Sequence, residues 1–261
     1  MTPIPWHLIH LSVAVAGWHT GGVLMELFGP PSSWPHQDLI AIGTEFTLDL
    51  TLAAYCSGAF PMPLNSDETE ATTGWWSPLR RGVLPLDCLR VARSLRKTAR
   101  RYTTTIDQAF PEVLERCADP HRPLGWIDEA VKQVYTKGFE AGFVHSVETW
   151  DDEGRLVGGL YGVSLWGLFA GESMFHDPLL GRDASKVALM RLVSHLRGRP
   201  DGTALLDVQW RTDHLASMGV MEVDRGEYLR RLDAALVREN TEWSTERLPG
   251  DWGYEQQDRT G

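Results

Sequence analysis

The sequence predicts an α+β fold, in which a small N-terminal domain precedes a larger domain built on a central, mostly antiparallel sheet flanked by helices. Two observations predict it. Residues 144–175 read as three consecutive strands separated by short turns, which is typical of an antiparallel meander. Segments with helical apolar spacing lie on both sides of this meander, and helices that cover one sheet form a layered α+β domain.

The N-terminal part contains one clear helix. Residues 46–55 have helical apolar spacing, and Gly58 follows as a C-terminal cap. The Pro, Gly and Asn content of residues 58–82 predicts a loop, with a domain boundary near Trp76 to Pro78. We therefore expect three parts, which are an N-terminal domain over residues 1–77, a larger domain over 78–245 and a frayed polar tail over 246–261.

The remaining elements surround the meander. The elements predicted before it are a strongly basic helix over 86–101, a strand over 103–106 and helices over 110–118 and 127–141. Those predicted after it are a helix capped by Asp183 that runs to Arg197, a buried strand over 204–209, a short helix over 212–218 and an edge segment from Met221. This order resembles the acyltransferase topology of the GNAT superfamily.

Composition and charge exclude several classes of protein. Hydrophobic residues make up 43% and charged residues 23% of the 261 residues, which argues against a disordered or fibrous chain. Cys56, Cys88 and Cys117 are widely spaced, which excludes a disulfide framework or a CxxC metal site and fits a reducing cytoplasm. The formal net charge of −10 argues against a surface coated with nucleic-acid-binding charge.

The chain also lacks two further signals. No basic residue precedes the apolar stretch within residues 1–29, and His and Gly residues interrupt that stretch, so we expect neither a signal peptide nor a membrane helix. GNAT enzymes that use acetyl-CoA carry a Gly-rich loop after the meander, and its backbone amides cradle a pyrophosphate. The corresponding segment here, HDPLLGRDASK, lacks a glycine pair. We therefore expect an acyl donor other than CoA.

A set of short strings indicates a closer relationship. In chain order they are YCSGAFPM, WWSPLRRGVLPL, GWI, HSVETW, LVGGLYGV, FAGESMF, ASK, LDVQ and HLASMG. In this order and spacing, the chain from about Leu39 to Leu236 resembles the bacterial leucyl/phenylalanyl-tRNA–protein transferases. GESMF, LVGGLYGV and the Asp-x-Gln pair carry most of the specificity when they occur together.

The resemblance implies an activity and its partners. Family members transfer Leu, Phe or Met from an aminoacyl-tRNA to the free α-amine of a protein that begins with Lys or Arg. The added residue marks that protein for proteolysis through the N-degron pathway. No metal, nucleotide or CoA cofactor is implied, and we expect a cytoplasmic monomer without a membrane partner. Aminolysis of an ester needs a neutral amine, a stabilised oxyanion and a proton for the leaving oxygen.

Three polar residues are the catalytic candidates. Asp207 and Gln209 lie two residues apart on the predicted strand, so both side chains should point to one face. The resemblance assigns this pair to catalysis, whereas a buried Asp–Gln pair that only holds the sheet together is the alternative. Glu172 is expected to share a strand face with Met174 and, by the resemblance, to lie near the substrate amine. The sequence leaves open whether Asp207 is a base or only an orienting group.

The donor aminoacyl group and its adenosine need an apolar slot and an aromatic surface. The resemblance places the slot at Leu160, Phe169, Met174, Leu192 and Leu206, although each alone could be plain core. For the adenosine, Trp126 matches one stacking tryptophan of the family, whereas Met62 replaces the other. Stacking on Trp75, Trp76 or Phe60 could compensate.

The basic run predicts a binding surface for the tRNA acceptor stem. Only Asp87 opposes it, and positions 90, 93, 97, 100 and 101 would form one stripe on a helix. Such a stripe would bind phosphates without reading sequence, and a solvated helix face is the alternative. The basic residues are Arg80, Arg81, Arg90, Arg93, Arg96, Lys97, Arg100 and Arg101.

Some residues depart from the family pattern and keep other functions open. Met62, His176 after ESMF, the inserted residues of HDPLLGRD and the long N-terminal segment could refit the acceptor side to a small amine-bearing metabolite. A tRNA-binding or N-terminus-binding module without catalysis is the second alternative. His145 is expected to be a hydrogen-bonded strand residue and not a metal ligand, and Lys186 is expected to meet either a phosphate or an acid.

Overall fold

The computed structural model describes residues 28–65, 72–121, 125–198 and 204–252. Residues 1–27, which hold most of the apolar N-terminal stretch, lie outside the described residues. An eight-stranded sheet forms the body of the molecule. Its strands are β4 (Arg80–Val83), β5 (Thr103–Ile106), β6 (Val144–Trp150), β7 (Leu156–Leu165), β8 (Leu168–His176), β9 (Leu205–Asp207), β10 (Met221–Asp224) and β11 (Leu248–Pro249). They lie in the order β10-β4-β9-β8-β7-β6-β5-β11, and neighbouring strands are antiparallel except β8 and β9, which are parallel.

Helices cover both faces of this sheet. The helices are α1 (Leu48–Ser57), α2 (Arg93–Ala99), α3 (Phe110–Cys117), α4 (Glu129–Glu140), α5 (Ala184–Arg197), α6 (Asp213–Ser217) and α7 (Arg225–Leu236). The first face packs against α1, α3, α4 and α7, and the second face packs against α2 and α5. The predicted α+β architecture with a mostly antiparallel sheet flanked by helices is therefore confirmed. No helix within the described residues is long and apolar enough to cross a membrane.

A second, three-stranded sheet precedes the main one. Its strands are β1 (Leu39–Gly43), β2 (Phe60–Asn65) and β3 (Thr72–Trp76), in the order β1-β3-β2. The loop predicted over residues 58–82 is wrong, because most of this stretch forms β2, β3 and β4. An edge strand needs backbone hydrogen bonds on one side only, so β2 tolerates Pro61 and Pro63. Trp75 is fully buried and contacts Phe28, with ring centroids 5.5 Å apart.

The long basic helix predicted over residues 86–101 is also wrong. The stretch begins with a short 3-10 helix (Leu86–Cys88), and α2 spans only Arg93–Ala99. The backbone N–H of Arg90 donates to the carbonyl of Met218 at 2.9 Å, and Ala92 is extended. Since this segment hydrogen-bonds to the chain after α6, tertiary pairing overrides its helical propensity.

The other predicted helices are present, and their ends follow capping chemistry. Gly58 ends α1 in the left-handed conformation, as expected, and the Asp128 carboxylate accepts from the N–H of Val131 to begin α4. Asp183 precedes α5, but its side chain does not cap the helix. Its carboxylate instead accepts from Lys186 Nζ at 2.8 Å. Of the two predicted partners of Lys186, a phosphate or an acid, the structure therefore shows an acid, which is the residue that precedes its own helix.

The tail predicted to fray returns to the sheet. Leu248 and Pro249 form β11, which pairs with β5, and the buried Asp251 accepts from Arg100 Nε at 2.9 Å. The expectation of a frayed tail is therefore wrong for this stretch, while residues 253–261 lie outside the described part of the chain.

Candidate active site

The candidate site lies where β8 and β9 part. The two strands pair from Leu168 and Leu205 as far as Ala170 and Asp207, where β9 ends. Just beyond this point β8 carries a bulge, because Tyr161 of β7 opposes Ser173 while Gly162 opposes Gly171. Glu172 is the extra residue of that bulge. A bulge re-aims a side chain, and here it turns Glu172 toward the end of β9.

Asp207 is held by four hydrogen bonds on the first face. Its carboxylate accepts from Arg81 Nε at 2.8 Å and from an Arg81 terminal nitrogen at 2.5 Å. The Tyr228 hydroxyl donates to it at 2.9 Å, and the backbone N–H of Gln209 donates at 2.9 Å. Since every partner acts as a donor, Asp207 makes all four bonds only as a carboxylate anion.

Arg81 is therefore part of the site and does not belong to the predicted tRNA surface. Its side chain is 1% exposed, and its guanidinium lies 4.6 Å from the ring centre of Phe60 and 4.4 Å from that of Tyr228. Burial by itself would lower the pKa of Arg81, but the charge of Asp207 prevails and raises it. The assignment of Arg81 to tRNA binding is wrong, since no phosphate can reach a buried cation that already has a bidentate partner.

Gln209 does not lie on a strand, contrary to the prediction. The strand ends at Asp207, and Gln209 has a φ of 56°, in the left-handed region that few non-glycine residues adopt. Its Nε2 donates to Glu172 Oε1 at 3.4 Å. Asp207 and Gln209 therefore reach the same site, but through a turn and not through the alternation of a strand.

Two tyrosine hydroxyls surround the carboxylate of Glu172. Tyr55 of α1 donates to Oε1 at 2.5 Å, and Tyr135 of α4 donates to Oε2 at 2.8 Å. The two hydroxyls lie 3.1 Å from each other. Burial raises the pKa of Glu172 to about 7, with a further contribution from the charge of Asp207. The two tyrosine hydrogen bonds and Arg81 oppose this rise.

The five residues predicted to form the aminoacyl slot lie together on the second face. Leu160 pairs with Met174 across β7 and β8, and Phe169 pairs with Leu206 across β8 and β9. Leu192 of α5 belongs to the same cluster. Glu172 points to the first face, so the expectation that Glu172 and Met174 share a face is wrong, because the bulge reverses the alternation between them.

The two residues predicted to bind adenosine do not meet. Trp126 lines a cavity of about 190 Å³ between the small sheet and α4, and its ring centre lies 6.5 Å from that of Tyr135. Pro61 and Pro63 of β2 also line this cavity. Met62 does not line it, since successive side chains of a strand leave on opposite faces.

The aromatic residues suggested to replace the missing stacking partner differ in access. Trp75 is buried in the small core and is not available for stacking. The rings of Trp76 and Phe60 pack edge-on against Trp210, with centroids 5.6 and 4.9 Å away. This aromatic group adjoins Arg81 and thus borders the Asp207 side of the site.

The remaining basic residues of the run lie at the surface. Arg80 and Arg100 have acidic neighbours, Glu222 at 3.8 Å and Asp251 at 2.9 Å. The single helical stripe is not formed, because Arg90 precedes α2 while Arg100 and Arg101 follow its last residue. The exposed members are Arg80, Arg90, Arg93, Lys97, Arg100 and Arg101.

Sequence reasoning missed Tyr55, Tyr135 and Tyr228. Tyr55 lies inside the string YCSGAFPM, and Tyr135 follows Val131 by four residues on the buried side of α4. These positions mark the two residues as candidates for the interior, but neither position indicates that both hydroxyls donate to the carboxylate of Glu172. His145 lies on β6 and is hydrogen-bonded, as predicted, since its Nδ1 lies 2.7 Å from a carboxylate oxygen of Asp107.

Two family models match the chain. Residues 83–233 match the leucyl/phenylalanyl-tRNA protein transferase model, and residues 44–79 match the N-terminal domain of the same protein. The chain belongs to the leucyl/phenylalanyl-tRNA–protein transferase family. It is accordingly an aminoacyltransferase, and the family predicted from the short strings is confirmed.

Curated relatives agree over most of the chain. The leucyl/phenylalanyl-tRNA–protein transferase of Afipia carboxidovorans is 44% identical over 213 residues, which cover 80% of this chain and 86% of the relative. The protein of that name from Rhizorhabdus wittichii is 49% identical, with 72% of this chain and 74% of the relative covered. The one from Paramagnetospirillum magneticum is 45% identical, with 76% and 91% covered.

Proposed function

We propose that this protein transfers Leu, Phe or Met from aminoacyl-tRNA to the α-amine of proteins that begin with Lys or Arg, and so marks them for N-degron proteolysis. The observation that carries the proposal is the position of Glu172. Burial raises the pKa of its carboxylate to about 7, and the carboxylate contacts Gln209 at the gap between β8 and β9, while the apolar cluster predicted as the aminoacyl slot lies on the other side of the sheet.

Glu172 moves the proton in the proposed reaction. An α-ammonium has a pKa of about 8, so part of the acceptor is already a neutral amine at neutral pH. Its nitrogen loses one further proton as it bonds to the donor, and a carboxylate with a pKa near 7 can accept that proton. The amine nitrogen bonds to the donor carbonyl carbon, and the bond from that carbon to the 3′ ribose oxygen breaks. The proton that leaves the amine passes to Glu172 and then to the departing ribose oxygen. Gln209 orients the amine through its side-chain carboxamide.

The apolar slot selects the donor amino acid. Leu160, Phe169, Leu192 and Leu206 are nearly inaccessible to solvent, and Met174 gives the slot an adaptable wall. A hydrophobic pocket separates ligands that differ by one methylene by only about 1–3 kcal/mol. We therefore expect relaxed selection among Leu, Phe and Met.

The exposed basic residues near α2 bind the tRNA acceptor stem. Arg93 and Lys97 lie on the exposed side of the helix, while Leu95 and Ala99 face the core. Contacts with phosphates would make donor binding independent of sequence and sensitive to salt. We place the enzyme in the cytoplasm as a monomer, and the cytoplasmic location fits cysteines that form no disulfide within the described residues.

A peptide assay tests the proposal. The protein is mixed with leucyl-tRNA and with peptides that begin with Arg, Lys, Asp or Glu, and the mass of each peptide is followed. We expect Leu to be added to the Arg and Lys peptides alone, and an Arg peptide with an acetylated N-terminus serves as the control. Transfer to no peptide would refute the proposal, and the assay is then repeated with small amines to test a metabolite acceptor.

A second assay tests the tRNA surface. The double variant Arg93→Glu and Lys97→Glu should weaken leucyl-tRNA binding and reduce its salt dependence, while transfer from an excess of short aminoacyl-adenosine ester stays unchanged. The matched control is Lys137→Glu with Arg230→Glu, which makes the same charge change at exposed positions of α4 and α7. Equal weakening by both double variants would refute the assignment of the surface.

A further inference from the structure

We propose that Arg81 is a positioning residue that, together with Tyr228, holds Asp207 and the Gln209 turn in their working geometry and so leaves proton transfer to Glu172. The inference rests on the proposed function of the site. Asp207 then acts through Gln209, and it neither accepts the proton of the acceptor amine nor touches the donor.

The first support is the fixed geometry of the Arg81 side chain. The guanidinium lies between the rings of Phe60 and Tyr228, and one of its terminal nitrogens donates to the carbonyl of Gly58 at 3.3 Å. Its Nε and its other terminal nitrogen hold both oxygens of Asp207, and that terminal nitrogen also donates to the Tyr228 hydroxyl at 3.3 Å. Such a fork fixes the plane of the carboxylate, which a lysine ammonium cannot do.

The second support is that the acceptor capacity of Asp207 is filled. Arg81 supplies two of its hydrogen bonds, and Tyr228 and the N–H of Gln209 supply the others. A carboxylate has about four acceptor positions, so Asp207 has none left for a substrate amine. The bond to Gln209 holds that residue at its positive φ, and Gln209 in turn reaches Glu172.

The third support is the electrostatic balance around Glu172. The groups that face it are Tyr55 of α1, Tyr135 of α4, Asp207 of β9 and Arg81 of β4. Asp207 raises the pKa of Glu172 and Arg81 lowers it. The two charges of the buried pair therefore act on the pKa of Glu172 in opposite directions, and removal of only the cation would leave an uncompensated anion beside it.

The test separates the charge of Arg81 from its geometry. Transfer to an Arg peptide is measured in single turnovers from pH 5.5 to about 9 for Arg81→Lys, Arg81→Gln and Tyr228→Phe, with saturating aminoacyl-tRNA. The matched control is Arg230→Gln, which removes an arginine from an exposed ion pair with Glu227. Thermal unfolding gives the folded fraction of each variant. The acceptor amine titrates identically in all assays, so differences between variants report the enzyme.

We expect Arg81→Lys to slow transfer by about a hundredfold at every pH, while the affinity for the donor stays unchanged. The acidic limb of the pH–rate profile, which is the fall in rate toward low pH, should also keep its position. In Arg81→Gln, the acidic limb should also move to higher pH, since Glu172 then faces the charge of Asp207 alone. Tyr228→Phe should slow transfer by about tenfold without moving the limb, and the control should behave as the wild type. If Arg81→Gln does not fold, the Lys and Phe variants decide.

Two results would overturn the inference. One is wild-type transfer by Arg81→Lys, and the other is a loss in every variant that merely follows its folded fraction. Failure of the wild type to transfer to any peptide would instead overturn the proposed function, so the two failures are distinguishable.

Discussion

The two carboxylates of the site, Asp207 and Glu172, lie on the same face of the sheet but have opposite surroundings. Asp207 meets a bidentate cation, a hydroxyl and a backbone N–H. Glu172 meets two tyrosine hydroxyls and a carboxamide, and the hydrogen bonds to it come from uncharged groups. Asp207 is fully buried and Glu172 is partly buried. The charge of the partner separates their roles, because only Asp207 has a direct cation to offset the loss of hydration.

The difference teaches which of them can exchange a proton near neutral pH. Burial raises the pKa of Glu172 to about 7, where proton uptake and release are both easy. Asp207 is committed to hydrogen bonds that it accepts as an anion. In the proposed division of roles, Glu172 transfers the proton and Asp207 holds the geometry of the site, and the following variants test that division.

The largest effect is expected from Glu172→Gln. Glutamine keeps the shape and can still accept from Tyr55 and Tyr135, but it cannot take up a proton from the amine. Single-turnover transfer should fall by about 10²–10⁴-fold, and the acidic limb that remains should be the one set by the acceptor amine alone. Donor binding should remain, as measured with labelled aminoacyl-tRNA. A rate within threefold of the wild type at pH 7 would contradict the role of Glu172 as proton acceptor.

Asp207→Asn should act mainly on stability. It leaves the Arg81 cation buried without its anion, which typically costs about 3–5 kcal/mol. The folded fraction that remains should show its acidic limb at lower pH, because the loss of Asp207 lowers the pKa of Glu172. Urea unfolding and the pH profile measure the two effects. Substitution of Asp177 by Asn removes a carboxylate from a partly exposed pair with Arg116 and serves as the control.

Much of the main sheet is predictable from the sequence because its signals are local. The turn between β6 and β7, the alternation of the meander and the left-handed cap at Gly58 depend on neighbouring residues. The edge strand β2 was missed, since its prolines read as loop and only the partner strand reveals its pairing. The basic helix was overestimated for a similar reason, since Arg90 pairs with Met218, which is distant in sequence.

The candidate site also depends on contacts between residues that are distant in sequence, which the sequence does not reveal. The sequence identifies Glu172, Asp207 and Gln209 as chemically important, but the role of Arg81 is not visible in it. A buried arginine and an exposed one look alike in a basic run, and its partner lies 126 positions away. The bulge at Glu172 is equally hidden, because it depends on the register between β7 and β8. Short motifs therefore locate the chemistry, while long-range pairing decides which residue performs it.

A smaller effect is expected in the pH dependence of stability. The pKa of Glu172 in the folded protein, about 7, lies above its ordinary value of 4.5. Below pH 4.5 both states are protonated, and as the pH rises from 4.5 to 7 the unfolded state releases the proton first. The contribution of Glu172 to the free energy of unfolding therefore falls over this window, by an amount on the order of 3 kcal/mol.

Urea unfolding of the wild type and of Glu172→Gln at pH 5 and pH 8 isolates this contribution, because all other titrating groups cancel in the difference. Relative to the wild type, the Glu172→Gln variant should be more stable at pH 8 than at pH 5. An equal difference in unfolding free energy at the two pH values would mean that Glu172 has an ordinary pKa, and the contrast with Asp207 would then be lost.

The smallest effect is expected from Tyr135→Phe. This substitution removes a hydroxyl that donates to Glu172 at 2.8 Å and leaves the ring in place. Since that hydrogen bond lowers the pKa of Glu172, its loss should raise the pKa and move the acidic limb upward by about half to one pH unit. Transfer at pH 8.5 should hardly change, because Glu172 is ionised there in both proteins.

The matched control for this variant is Tyr102→Phe, since the Tyr102 hydroxyl donates to the carbonyl of Arg182 at 3.0 Å, away from both carboxylates. Tyr55→Phe should move the limb further than Tyr135→Phe, because the Tyr55 hydroxyl is closer to Glu172, at 2.5 Å. If neither tyrosine variant moves the limb while both remain folded, the proton is accepted elsewhere. The acidic limb would then belong to the acceptor amine alone, and the neutral surroundings of Glu172 would have only a structural role.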